Sequence, residues 1–554
     1  MHGIDWAIFV GFLGYVIWDG IRQSSRNREA DDYFVAGRTV PWWAIGLSIM
    51  ATQASAITMV GTSGQGWYDG LRFVQFYYAL PLAMIILALV AVPAYHRLQV
   101  RTAYEYLGKR FDGKTRVLSA VLFLILRGLS VGFVIYTPAL VLAKVFNFPL
   151  KPTILFMGVV AVIYTSIGGL RAVIATDVKQ MTVMVLGLIV AFVSIVKNLP
   201  PDVGWSGAMR LADATGRLEV ANWSWDPKEK YTIWSSLIGG LFLFLSYFGT
   251  DQSQTQRLFA SKSVRHAQAA LLLNAVCKVP FQFLVLTCGV LLFSFYIFQD
   301  APISFVPGAD RIEVTDSADP AAYTELLSEY DEARVELQAS ARALLRSDEV
   351  VEVDASRFRD AAEHTALIRE QARELRSGGS DRNFVFLHFI LNHLPIGLVG
   401  LLLAAIFAAA LSSIDSEINA MSTVAVVDIY GFLGGKKAKD STMIAISRWM
   451  TLLVGGFATA FAVYADIVGS LVEAVNNVGS YIYGSLLGVF VLGLVFPRAN
   501  GHGAFAGLIT GMIVVVWAAQ TGLAFLYLNT VGTFTVVAVG ILVSLATMSR
   551  RAQA

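Results

Sequence analysis

LLLAAIFAAALSSIDSEINAMSTVAVVDIY, residues Leu401 to Tyr430, decides how the rest of the chain is read. It starts as a membrane helix of Leu, Ala, Ile and Phe. Then Ser412, Ser413, Asp415, Ser416 and Glu417 arrive together, and the apolar pattern resumes. A charged group at membrane depth costs roughly 2.5–3.5 kcal/mol by insertion scales, so such groups face a cavity or a partner. On a helix Ser412, Asp415 and Ser416 stand at i, i+3 and i+4 and share one face, with Ala409 one turn earlier. The stripe offers hard oxygen atoms and no His or Cys, which is the ligand chemistry of a hard cation.

The surrounding composition says what kind of protein holds this stripe. The chain has 554 residues, 56% hydrophobic and 15% charged, with a mean hydropathy of +0.61. Soluble domains carry about 25% charged residues. Apolar segments of roughly 20 residues, enough to cross a hydrocarbon core, recur along nearly the whole length. The expectation is an all-α polytopic membrane protein of about thirteen spans, near 4–22, 41–64, 71–96, 116–146, 152–170, 175–197, 231–256, 266–299, 385–430, 443–466, 468–496, 502–523 and 528–548. The 385–430 region is too long for one simple span and implies a short leading helix. The start, MHGIDWAIFV, lacks the basic region of a cleavable leader, so the first segment is kept as a span. The net charge of +2 gives no footprint for nucleic acid, and Cys277 and Cys288 read as buried small hydrophobes.

Lys and Arg in the short loops set orientation. Arg22, Arg26, Arg28 and Arg38 follow the first span; Arg97, Arg101, Lys109, Arg110, Lys114 and Arg116 follow the third. Arg257, Lys262 and Arg265, then Lys436, Lys437 and Lys439, and finally Arg550 and Arg551 fall on the same side. The N-terminus is therefore expected outside and the C-terminus inside. Trp42, Trp43 and Trp67 suit interfacial belts. Residues 300–384 break the pattern: an external acidic insert with two helical stretches, AAYTELLSEYDEARVELQASARALL and RFRDAAEHTALIREQARELR, returning to the membrane through SGGSDRN at 377–383. A solvated helical hairpin is the plain reading; docking or gating stays open.

Other polar clusters lie within the spans. ATQASAITMVGTSGQGW (51–67) crowds Thr, Gln, Ser and Gly into one helix, either as a broken helix that exposes carbonyls at the midplane or as a contact through small residues. LFLFLSYFGTDQSQTQR (241–257) is interrupted at a corresponding place by Ser246, Gly249, Thr250 and Asp251, and paired interruptions point to a transporter site. In SIGGLRAVIATDVKQ (166–180), Gly168-Gly169 makes a tight turn and Asp177 enters the membrane, where it needs a partner: a cation, or Lys179 or Arg171. Lys278 reads as a structural pair near the end of its helix. Arg127 sits mid-span; its guanidinium suits a carboxylate, of a solute or of the protein itself.

These residues together resemble the sodium:solute symporter family, which includes bacterial sodium/galactose, sodium/proline and sodium/sialic acid transporters. SIGGLRAVIATDVKQ, QRLFASKSVRHAQ (256–268), AAALSSIDSEINAMSTVAVVDIY (408–430) and GLVFPRANGHGAFAGLITG (493–511) match its motifs in order. The resemblance implies a LeuT-like fold of two inverted five-helix repeats. Residues 1–40 form an extra N-terminal helix and cytoplasmic loop, and 41–200 the first repeat. Residues 201–299 are an external loop and the start of the second repeat, 300–384 the insert and 385–500 the rest of that repeat. Residues 501–554 add two C-terminal helices and a short cytoplasmic tail.

It further implies a sodium ion bound by the carbonyls of Ala51, Ala54 and Ala409 and the hydroxyls of Ser412 and Ser413. A second sodium would use Asp177, Ser412, Asp415 and Ser416. Gln53, Ser55, Thr58, Gln75 and Arg127 are similar to the polar set that holds sialic acid, and Tyr247 and Phe248 match an aromatic inner gate. The sugar-binding pair of the galactose transporter aligns to Ile57 and Thr58, so a sugar read through that pair is not expected; a sodium/sugar or sodium/polyol symporter is the alternative. The expectation is a sodium-coupled symporter that imports a small organic anion, such as sialic acid or another carboxylate, across a bacterial plasma membrane. A sensor would carry a further cytoplasmic domain after Arg550-Arg551-Ala552; a passive channel or sodium-independent facilitator stays open, and sodium-dependent uptake in proteoliposomes separates it. No nucleophile–base set points to an enzyme.

Overall fold

The computed structural model describes residues 1–24, 29–146, 148–306, 319–346, 352–375, 381–434, 440–464 and 471–551. Arg26, Arg28, Lys436, Lys437, Lys439 and the first part of the 377–383 return lie outside the described residues. The main helices are α1 (Gly3–Ser24), α2 (Trp42–Gln53), α3 (Ser63–Asp69), α4 (Leu80–Leu89), α5 (Gly113–Val145), α6 (Leu150–Lys197), α7 (Gly240–Gly249) and α8 (Gln252–Phe259). They continue with α9 (Val264–Phe298), α10 (Pro320–Arg346), α11 (Glu352–Leu375), α12 (Leu398–Val424), α13 (Asp440–Tyr464), α14 (Leu471–Val495), α15 (Gly501–Gln520) and α16 (Phe525–Arg551). Among the described residues ten helical segments are long and apolar enough to cross a membrane, and Leu150–Ile163 and Ser235–Gly249 are shorter apolar helices. A separate helix, Val385–His393, precedes α12, as the length of that region requires.

Local chemistry explains several boundaries. The Asp112 side chain accepts from the Thr115 amide at 2.9 Å and opens α5, and Ser263 caps α9. Within α6 the backbone leaves helical geometry at Gly169 (φ 66°, ψ 174°), so the Gly-Gly turn joins two helices end to end. A residue with a Cβ is strained at that φ.

Helix α12 is the axis of the bundle. In its segment, Leu398–Tyr430, 89% of the most apolar stretch is buried, against 28% for Gly3–Gln23, Asp440–Tyr464 and Phe525–Met548. Those outer helices present Trp18, Trp449, Leu453, Phe534 and Leu542 outward, the surface a bilayer would cover. Trp42 and Trp43 are also exposed, but Trp67 is buried against Phe293, Tyr296 and Phe305. The belt expectation fails for Trp67 because its helix turns inward onto α9.

One end of the bundle gathers the basic loops. Arg38 donates to the Gln99 carbonyl at 3.1 Å, Arg101 pairs with Asp31 at 2.7 Å, Arg116 pairs with Asp428 at 2.7 Å, and Val40 bridges to Ser261. The insert lies at the other end. There α10 and α11 form a hairpin whose core is Ile303, Tyr323, Tyr330, Ala333, Ile368 and Ala372. It is docked rather than free: Arg369 donates to the Pro302 carbonyl at 2.9 Å and lies over the rings of Phe305 and Trp67.

Candidate functional site

Two helix interruptions meet beside α12. The first falls between α2 and α3, where Ala54 (φ −87°, ψ 68°) leaves helical geometry and the chain resumes through a π-helical turn at Thr58–Thr62. The second falls between α7 and α8, where Asp251 turns the chain and accepts from the Ser253 amide at 2.8 Å. Both places were legible as polar interruptions of apolar spans.

The Ser413 hydroxyl, on α12, lies 2.9 Å from the Thr52 carbonyl and 3.1 Å from the Ala409 carbonyl. Ala51, Ala54, Ala409 and Ser412 are all buried. Carbonyl and hydroxyl oxygens are the donor type that a hard cation takes. Thr52 was missed in the sequence; only the fold turns its carbonyl to α12.

One turn away Asp177 is buried, with Ser412 and Ser48 hydroxyls each donating at 2.5 Å. Its cationic partner is neither Lys179 nor Arg171. Lys179 pairs with Asp19, and Arg171 with Asp32 at 3.5 Å. Arg257, 0% exposed, pairs with Asp177 at 3.2 Å and donates to Ser416 and to Ser48. Asp415 is buried beside them; its Oδ1 accepts from Ser416 at 3.3 Å and its Oδ2 has no hydrogen-bond partner among the described residues. One guanidinium thus faces two carboxylates.

A cavity of about 110 Å³ adjoins Ser413, lined by Gln53, Ser55, Thr58, Arg127, Tyr247, Glu417 and Tyr483 among others. Arg127 reaches it but is already engaged. Its Nε donates to Asp251 Oδ2 at 2.6 Å, Nη1 to Glu417 Oε1 at 2.8 Å, and Nη2 to the Tyr483 hydroxyl at 2.5 Å. Of the two partners left open by the sequence, the structure supplies the protein's own carboxylates. Gln75 does not line the cavity: its amide donates to the Arg72 carbonyl and accepts from the Asn222 amide at 2.8 Å, because residues 70–77 wind as a tight helix that turns it away. Tyr247 lines the cavity and packs 6.0 Å from Tyr483, while Phe248 is buried behind it against Tyr247. Among the described residues Lys278 has no carboxylate partner; its ammonium sits over the rings of Tyr77 and Phe281. Among the described residues no His, Cys, Asp and Glu cluster suits a multivalent metal.

The model of the sodium:solute symporter family matches residues 33–330 and 362–511, interrupted only inside the insert. The chain belongs to the sodium:solute symporter family. It is a multi-pass membrane transporter that couples the uptake of a small organic solute to sodium, and not an enzyme. It is 27% identical over 520 residues to the human (Homo sapiens) sodium/iodide cotransporter, covering 93% of this chain and 69% of that one. It is 28% identical over 513 residues to the human sodium-coupled monocarboxylate transporter 2, covering 93% and 71%. Against the sodium/sialic acid symporter NanT of Aliivibrio fischeri identity is 26% over 545 residues, covering 97% and 92%. The fold superposes on a substrate-bound, outward-open Na+-coupled sialic acid symporter with a TM-score of 0.76 and 24% identity, covering 98% of both chains.

Proposed function

We propose that one sodium ion binds between the α2 break and α12, and that the solute, a small carboxylate, occupies the cavity beside it. The observation that carries the ion site is Ser413, whose hydroxyl sits between the Thr52 and Ala409 carbonyls at 2.9 and 3.1 Å. The carbonyls of Ala51, Ala54 and Ala409 and the hydroxyls of Ser412 and Ser413 are its ligands. A second sodium uses Asp177, Ser412, Asp415 and Ser416, where the excess of one carboxylate over Arg257 supplies the attraction.

The carboxylate reading rests on Arg127 at the cavity wall, with relatives whose names include monocarboxylate and sialic acid transporters in support. Ser55, Thr58 and Gln53 supply the remaining polar contacts.

The transport cycle is alternating access between repeats at 41–200 and 201–299 with 385–500. The basic end of the bundle faces the cytoplasm, the insert faces outside, and the bilayer is a bacterial plasma membrane. Sodium draws the α2 break onto α12; its loss inside frees the pair, and Tyr247 and Phe248 then yield. One charge crossing ~100 mV yields about 2.3 kcal/mol, and a tenfold gradient about 1.4. For a solute without net charge a single sodium therefore supports roughly 500-fold accumulation. With a monoanion one sodium moves no net charge, only the roughly tenfold gradient remains, and a second sodium restores the voltage drive.

The test is uptake into proteoliposomes under an inward sodium gradient, with small carboxylates and size-matched neutral solutes. Sodium-driven uptake of carboxylates alone is expected; equal uptake of neutral solutes overturns the reading.

A further inference from the structure

The charges around the cavity do not balance. Asp251 is satisfied at both oxygens: Oδ1 accepts from the Ser253 amide and hydroxyl, Oδ2 from Arg127 and from Tyr483 at 3.1 Å. It therefore matches the single positive charge of Arg127. Glu417 is the surplus. It is 4% exposed, its Oε1 takes Arg127 Nη1, and its Oε2 has no hydrogen-bond partner among the described residues. Gln53 Oε1, on the same cavity wall, is also buried without a partner among the described residues. Buried acceptors left unpaired are costly and call for a donor. Among the described residues the other titratable groups on the cavity wall are the phenols of Tyr77, Tyr247 and Tyr483. Arg257 is committed to Asp177, and Lys278 sits over the Tyr77 ring, outside the cavity lining.

An occupant of this cavity has to bring hydrogen-bond donors and a positive charge. A monoanion brings neither: beside Arg127 it adds a second uncompensated negative charge next to Glu417, and if it displaces Glu417 it leaves a buried carboxylate with no compensation. A molecule with both charges can open the Arg127–Glu417 pair and restore it at each end, carboxylate on the guanidinium and ammonium on Glu417. The count agrees. With one sodium at Ser413, one turn before Glu417, the site is neutral around a zwitterion and carries an excess negative charge around a monoanion.

We propose that the solute is a zwitterion whose protonated amine is bound by Glu417, with Gln53 Oε1 as its second acceptor. This rests on the reading that a carboxylate faces Arg127, and adds the group that chooses among carboxylates. Glu417 is then a specificity residue that touches the solute.

The experiment measures sodium-driven uptake, and competition for it, in proteoliposomes of the full chain. The probes are alanine with its deaminated counterpart propionate, and phenylalanine with 3-phenylpropionate. In the wild type the amino acid is expected to be preferred by about tenfold or more, the size of a lost charge-assisted hydrogen bond. Glu417→Gln should erase or invert that preference, and Glu417→Asp should retain it in part. Gln53→Leu, an independent variant should Glu417→Gln not fold, should narrow it several-fold. A wild type that prefers the deaminated acids, with a ratio unchanged in Glu417→Gln, overturns the proposal and leaves the carboxylate reading standing. Uptake of neutral solutes with neither series competing overturns both. A changed sodium affinity with an unchanged solute ratio assigns Glu417 to an ion and also overturns the proposal.

Discussion

Asp415→Asn should stabilise the sodium-free protein and blunt its response to sodium. Arg257, Asp177 and Asp415 are each at most 1% exposed. Asp177 holds Arg257 at 3.2 Å and two serine hydroxyls at 2.5 Å, so that pair is complete. Asp415 adds a second negative charge, with one oxygen unpartnered among the described residues. Removing one member of a buried pair costs about 3–5 kcal/mol, because it leaves a charge uncompensated; Asp415 stands in that position until a cation arrives. Asn keeps its shape and removes the charge, so a large part of that cost should be recovered. Sodium at 100 times its Kd stabilises a single-site protein by about 2.7 kcal/mol, and that increment should vanish for this site. Asp177→Asn should do the reverse to the resting protein, stripping Arg257 of its complete partner. The assay is thermal unfolding of purified protein in sodium against potassium. An Asp415→Asn variant that melts lower without sodium, or keeps the full sodium increment, refutes the charge count.

Two further outcomes follow from the geometry. Arg127→Lys loses the fork that reaches Asp251, Glu417 and Tyr483 at once, and should reduce uptake of the preferred solute at least tenfold while leaving sodium-dependent thermal stabilisation in place; uptake within twofold of wild type contradicts the assignment. In Gly64→Ala the new Cβ would fall 1.6 Å from the Arg382 carbonyl, so the 381–383 segment must lift from α3 and weaken the 2.8 Å Arg382–Asp69 pair; a loss of about 1–3 kcal/mol is expected, and an unchanged melting temperature would show that the two segments are not packed this closely.

The helix breaks were legible because their signal is local: Thr, Gln, Ser and Gly replace Leu and Val within a single span. The oxygen stripe on α12 was legible for the same reason. Partner choice was not. Asp177 has Arg171 and Lys179 close in sequence, yet both are drawn to Asp32 and Asp19, and the arginine that neutralises it stands 80 residues later. The engagement of Arg127 depends on Asp251 and Glu417, which are 124 and 290 residues away. Gln75 carried the right side chain in the right span, but the tight winding of 70–77 points it at the Asn222 loop. Residue type and period locate a cavity; which side chains it receives is settled by how distant helices rotate against one another.

The claim that the α2 break and α12 together hold the driving ion is tested most directly by equilibrium binding of radioactive sodium to purified wild type and Ser413→Ala. Loss of the hydroxyl removes one ion ligand and leaves the Thr52 carbonyl unpaired, which at about 1–3 kcal/mol predicts a fall in sodium affinity of roughly 5- to 150-fold. Sodium affinity unchanged in Ser413→Ala, in protein that is folded and still transports, would contradict it.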